Sequence, residues 1–271
     1  MTRLFLAVLL ATIGCVTPPA APDAGELDAG TLDAGQLDAG VPQWQPLFNG
    51  TDFTGWEHYL GPRNGETVPV GLNSPTQNVF SVVQVDGKSA IHITGEIWGV
   101  LATLKEYENF DLRLQFKWGA KVWPPLTAFD SGVMIHSLGP HGAVKAGGGS
   151  MAMPPNSGWF LQSLECQVAA GDTGSFYTLG DNTAEDANHQ TVRSISRSAN
   201  FELPVGQWNT LEIHSDRGRV QHRLNGQLAA SYENTRSKLN GVEAPLVRGR
   251  IQLQSESGEI YFRNVEVRTI P

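Results

Sequence analysis

The nine residues from Phe110 to Trp118 alternate apolar and polar side chains without a break. Phe110, Leu112, Leu114, Phe116 and Trp118 fall on one face, and Asp111, Arg113, Gln115 and Lys117 on the other. A period of two is the geometry of a β-strand with one dry face and one wet face; a helix would scatter these side chains around its circumference. Such a strand must bury one side of its sheet under a second layer. Shorter alternating runs recur at 80–85, 90–94, 132–136, 161–168, 208–214, 219–224, 250–254 and 260–267. Asn225-Gly226 separates two of them, and this pair readily takes the positive φ values of a tight hairpin. No stretch of a dozen residues carries helical periodicity. The pattern predicts an all-β fold, a two-sheet antiparallel β-sandwich or jelly roll. The outer face of one sheet is then a natural seat for an extended sugar.

The first 45 of the 271 residues read differently. Arg3, the apolar run 4–10 and the small Gly14 before Cys15 have the layout of an export signal, too short to span a bilayer. The sequence Thr-Ile-Gly-Cys ending at Cys15 resembles a bacterial lipobox, which implies lipidation of Cys15 and cleavage before it. The expected address is the bacterial cell envelope, with membrane contact through the lipid anchor only. Four Asp-Ala-Gly repeats beginning at Asp23, Asp28, Asp33 and Asp38 follow. Small residues and like charges cannot bury enough surface to fold, so 15–45 reads as a lipidated, disordered tether. Residues 46–271 remain for one sandwich domain. Setting aside the five acids of the tether and Arg3 leaves 22 acids against 18 bases. That balance, with no basic cluster, argues against a nucleic-acid partner.

A series of short segments runs through this domain in a fixed order. It opens with Leu47-Phe48-Asn49-Gly50-Thr51-Asp52-Phe53-Thr54-Gly55-Trp56 and continues through Glu106-Tyr107, Asp130-Ser131-Gly132-Val133, Leu164-Glu165-Cys166-Gln167-Val168 and Trp208-Asn209-Thr210-Leu211. It closes with Gly249-Arg250-Ile251-Gln252-Leu253-Gln254 and Ile260-Tyr261-Phe262-Arg263-Asn264-Val265. The ordered set resembles the 3-keto-disaccharide hydrolase domain family. The resemblance implies a concanavalin-like fold and cleavage of glycosides already oxidised at C3. A C3 ketone acidifies the C2 proton, and its removal lets the C1 substituent leave. Such a site needs a base near C2–H, donors for the enolate oxygen and an acid for the leaving oxygen. Direct hydrolysis would instead need two carboxyls flanking the bond.

The candidates follow from this chemistry. In 164–168, Leu164, Cys166 and Val168 share the core face, so Glu165 and Gln167 point outward. They match the family's Glu-x-Gln motif, with Glu165 as acid/base and Gln167 as a hydroxyl-orienting amide. His136 can act as acid or base near neutrality, although relatives carry arginine near this place. Lys105 could donate to an anionic oxygen. Trp98 could stack on a sugar ring, with Glu96 and Gln254 as further polar contacts. Arg263 is expected to hold a carboxylate. Cys166 reads as a buried small hydrophobe. The other six histidines, His58, His92, His141, His189, His214 and His222, show no ligand spacing. No cofactor motif is present, and a divalent metal held by scattered loop residues stays open. Two long irregular segments, 61–76 and 138–155, could wall or cover a cleft. The expected partner is a carbohydrate. An enzyme would set Glu165 in a cleft near a second ionisable group; a carbohydrate-binding module or an adhesion protein would need only aromatics and amides.

Overall fold

The computed structural model describes residues 42–74, 78–141, 162–239 and 241–271. The expected export signal, Cys15 and the Asp-Ala-Gly repeats lie outside these residues, as does most of the segment 138–155. The body spans Pro42–Pro271. Among the described residues it is all β: two antiparallel sheets stacked as a jelly-roll sandwich.

The alternating run becomes the strand Phe110–Val122, which is central in the first sheet. It lies between Asn209–Asp216 and the last long strand, Gly258–Thr269. Its five apolar residues are each at most 2% exposed. Fully burying side chains of this size is worth about 1.5–3 kcal/mol each, so this strand alone anchors the core. Its other face carries ion pairs: Arg113 with Glu266 at 2.6 Å and Lys117 with Asp86 at 2.8 Å. The hairpin expected at Asn225-Gly226 joins Arg219–Leu224 to Gln227–Leu239, and both turn residues have positive φ, 51° and 81°. Arg263 donates to Gln115 Oε1 at 2.9 Å and stacks 3.8 Å above the Trp208 ring. It holds an amide and an indole there, where a carboxylate was expected.

The second sheet runs in the order Ser194–Ile195, Phe176–Leu179, Gln162–Ala169, Asp130–Leu138, Arg248–Ser255, Gly99–Thr103, Trp56–Leu60 and Gly71–Leu72. Leu164, Cys166, Val168, Val133, Ile135, Ile251 and Leu253 face the first sheet and form the core with it. The opposite, outer face is also largely buried. It has a small apolar patch of its own, with Val100 and Met134 at its centre and Tyr59, Trp98 and Leu179 packed against them.

Candidate active site

The strand Gln162–Ala169 alternates as the sequence implies: Cys166 faces the core, and Glu165 and Gln167 face outward. Glu165 is nevertheless only 6% exposed. The ladder sets it opposite Met134 on one side and Tyr177 on the other, and sets Gln167 opposite Gly132. Gly132 leaves room for the acid. A Cβ there would collide with Glu165 Oε1 and come within 2.9 Å of Gln254 Oε1. Glycine at 132 therefore lets the carboxyl lie against the backbone of the next strand. With its amide nitrogen turned to donate, Gln167 reaches Glu165 Oε1 at 3.3 Å and the Ser131 carbonyl at 3.0 Å.

Two further acids complete the group. Asp130 lies two residues before Gly132 on the same face, next to Ser257 in an isolated parallel bridge. Glu256, 5% exposed, sits in the short turn after Arg248–Ser255. No ion pair reaches Glu165, Asp130 or Glu256 among the described residues. Their proton affinities rise accordingly. Burial, then the charges of Asp130 and Asp172, push Glu165 up to about 8. Burial, helped by Asp172 and opposed by the Ser131 amide, pushes Asp130 up to about 7. Burial, with Asp130 and Glu165 beside it, pushes Glu256 well above the usual carboxylate range. Tyr177 donates to Asp172 at 3.0 Å, and burial and that acid push its phenol up to about 12.

Amides line the rest of this face. Gln252 donates to Ser137 Oγ at 2.7 Å, and Ser131 Oγ donates to the Gln254 carbonyl at 2.8 Å. The side-chain oxygens of Gln252 and Gln254 are buried without a partner. Trp98 donates to Ser257 Oγ at 3.1 Å, which ties the aromatic patch to the Asp130 end of the site. On the far side, Arg250 and His141 both engage Glu57, the latter at 3.0 Å, and the His141 ring stacks on Tyr59. Burial works against the Glu57 carboxylate, but His141 and Arg250 outweigh it and hold its pKa below the usual range. The nearby cation is thus committed to a different acid.

The structure brings together Glu165, Gln167 and Gln254, with Trp98 at the edge. Glu96 is exposed and lines an adjoining cleft of about 380 Å³ with Arg63, Asn64, Ile97, Trp123 and Pro124. Two expectations are corrected. His136 lies in the core between the sheets, not on the outer face: its Nε2 meets Ser215 Oγ of the first sheet at 2.8 Å, and its ring packs on Phe110. The cause is a β-bulge. Leu164 pairs with Ile135 but Gln162 pairs with Leu138, and His136 has φ 50°, so the extra residue turns inward. Burial drops its pKa to about 3, which keeps it neutral. Lys105 is exposed and lays its ammonium 5.2 Å above the Tyr107 ring, beyond the end of Gly99–Thr103. Neither residue belongs to the carboxyl group.

Asp130, Glu256, Asp172, Tyr177 and Gln252 went unnoticed in the sequence. Period two was the available signal: Asp130 shares parity with Gly132, and Glu256 with Gln252 and Gln254. As chemistry, three crowded acids without a cation either share protons, and so offer a base and an acid together, or bind a cation through carboxylate and amide oxygens. The donor set fits both.

Fold and face together define a jelly-roll sandwich with an acid–amide site on the outer side of one sheet. Residues 43–268 match the model of the 3-keto-alpha-glucoside-1,2-lyase-like domain, and the chain belongs to that family. Among solved structures, it is similar to a Parabacteroides distasonis protein proposed to be a glycosyl hydrolase, at 19% identity and TM-score 0.50, over 84% of this chain and 94% of that one. It is also similar to a Bacillus subtilis protein of unknown function with a galectin-like fold, at 11% identity and TM-score 0.51, again over 84% and 94%. These likenesses concern the fold. A search of curated proteins finds no significant match.

Proposed function

We propose that the protein is an extracytoplasmic enzyme that cleaves 3-keto-glycosides, 3-keto-disaccharides among them, by elimination and hydration. The observation that carries this reading is the cation-free group of the buried Glu165 and Glu256 and the half-buried Asp130, all three with their pKa values pushed up by burial and by one another or Asp172. A carboxylate with a raised pKa is a stronger base than an exposed one, and a neighbour that keeps its proton at pH 7 is an acid. One carboxylate of the group takes the C2 proton, and the C–H electron pair enters the enolate of the C3 ketone. The C1–O bond then breaks, and its electron pair leaves with the oxygen, which takes a proton from a neutral carboxyl of the group. Water adds at C1 of the resulting enone and a proton returns to C2, so the net reaction is hydrolysis. Apparent pKa values belong to such a group as a whole. Gln167, Gln252 and Gln254 provide amides for sugar hydroxyls, and the unpartnered oxygens of the last two suit hydroxyl donors. Trp98, half-buried beside the site, offers a ring for a sugar face to stack on. Lipidation of Cys15 would hold this domain at the cell envelope.

The test incubates the chain with 3-keto-trehalose or a 3-keto-glucoside and follows release of the leaving group. Turnover that falls at least about 100-fold in Glu165→Gln is expected, the scale of general acid–base catalysis. Sugar binding without turnover would make the domain a carbohydrate-binding module instead.

A further inference from the structure

On the first sheet, Glu185 and Glu233 are direct cross-strand partners between Asn182–Glu185 and Gln227–Leu239. Like charges set directly opposite each other repel. The chain places His189 above the pair. The turn from Asp186 to Gln190 holds that residue at φ 57°: the Asp186 carboxylate accepts from the amides of Asn188 and Gln190 at 2.8 and 2.9 Å, and the His189 amide donates to the Asp186 carbonyl. His189 Nδ1 lies 3.2 Å from Glu233 Oε1 and 3.7 Å from Glu185 Oε2. One ligand atom from each of the three residues falls within 4.8 Å of the others.

We propose that Glu185, His189 and Glu233 form a site for a divalent transition cation of the zinc type. Bonds of 2.0–2.2 Å in a tetrahedron separate the ligand atoms by about 3.3 Å. The two nitrogen–oxygen distances bracket that value. Groups outside the trio already orient it. Asn234 donates to Glu185 Oε1 at 2.6 Å, and Arg219 Nε meets Glu233 Oε2 at 3.2 Å. Each carboxylate is thereby held by its outer oxygen and turns its inner oxygen toward His189, the arrangement by which outer-sphere partners orient metal ligands. One imidazole and two carboxylates suit zinc and its first-row neighbours and disfavour calcium and magnesium, which prefer all-oxygen shells. His189 is 74% exposed and Glu233 31%, so the fourth position faces water. The ion would pin the hairpin 182–192 to the long strand Gln227–Leu239. The trio lies on the opposite sheet from Glu165, so the inference stands apart from the proposed reaction.

The experiment titrates the full chain, stripped with a chelator, with Zn²⁺ at pH 7.5 by calorimetry. One ion per chain is expected. His189→Gln and Glu185→Gln should each weaken binding by at least about 10-fold, the smallest effect usual even for outer-sphere changes. A millimolar excess of Mg²⁺ or Ca²⁺ should not displace the ion. Circular dichroism checks that each variant folds, and a shift of the His189 imidazole resonances on adding Zn²⁺ gives a second readout on the unmutated chain. Absence of saturable binding, unchanged binding in both variants, or displacement by Mg²⁺ would each overturn the proposal.

Discussion

Replacing Glu165 by glutamine should stabilise the protein as pH rises. In the folded chain its carboxyl is pushed from the ordinary 4.5 to about 8. The unfolded chain therefore releases this proton about 3.5 pH units earlier, and between those values each further unit favours unfolding by ~1.4 kcal/mol. The folded-state pKa is the higher one, so the contribution is fully present below pH 4.5 and is lost on approaching pH 8. Over that window the wild-type loss amounts to roughly 5 kcal/mol. Glutamine keeps the shape and the contact with Gln167 but has no proton to lose. Asp130 and Asp172 contribute part of the rise, and their own charges remain, so we expect a gain of roughly 2–5 kcal/mol for the variant at pH 8.5 relative to pH 4.5. For a domain of this size that is a difference of about 5–15 °C in melting temperature. Urea unfolding of both proteins at pH 4.5, 6.5 and 8.5, beside the keto-glycoside assay, reads stability and turnover on the same samples. A variant equally destabilised at all three pH values would show that Glu165 is ionised and well solvated, and the acid–base argument would fail with it.

Gly132→Ala should fold yet lose activity: the new methyl displaces the Glu165 carboxyl by about 1 Å, a misplacement that commonly costs ~100-fold in rate. Wild-type turnover in that variant would refute the role given to the glycine. His136 and His222 have pKa values pushed down by burial to about 3 and about 4. Their contribution has the opposite sign to that of Glu165: it is present above pH 6.5 and lost as pH falls toward those values. Proton NMR should accordingly find neither imidazole titrating above pH 5. Gly226→Ala meets nothing within 4 Å, so only its φ of 81° is penalised; we expect a loss of about 1 kcal/mol by urea unfolding with the site unaffected.

Most of the fold was legible because half-buried antiparallel strands write their burial into the sequence at period two. The run 80–85 is the strand Phe80–Val85, and 219–224 is Arg219–Leu224. Strands buried on both faces carry no such mark. In Gly99–Thr103 every residue is buried, and the sequence reads simply as Gly-Val-Leu-Ala-Thr. Edge strands such as Gly71–Leu72 are too short to show a pattern. The site was half legible for the same reason. Glu165 and Gln167 follow from the parity of Leu164, Cys166 and Val168. His136 has the parity of Asp130, Gly132 and Met134, and only the bulge sends it to the other side. That bulge is a property of two paired strands and is invisible in either one alone. Glu256 keeps the parity of Gln252 and Gln254 but lies one residue past the end of their strand, where the alternating run 250–254 has already stopped.

The same alternation separates site from scaffold along each strand that carries the chemistry. Glu165 sits between Leu164 and Cys166, both fully buried in the inter-sheet core. Outward carboxyls crowded without a cation oppose folding, and the inward residues of the same strands offset that cost. Leu164→Ala should therefore be the converse of Glu165→Gln. Truncating a leucine with no exposed surface typically costs 2–5 kcal/mol, and here it removes apolar area facing the first sheet. Glu165 stays fixed by Gln167 and by Gly132 on the neighbouring strand, so the pH at which activity is half-maximal should stay where the wild type has it while the urea midpoint falls. If the pH profile moves together with stability, core and site are not separable by face, and the raised pKa of Glu165 depends on the packing beneath it more than on the acids beside it.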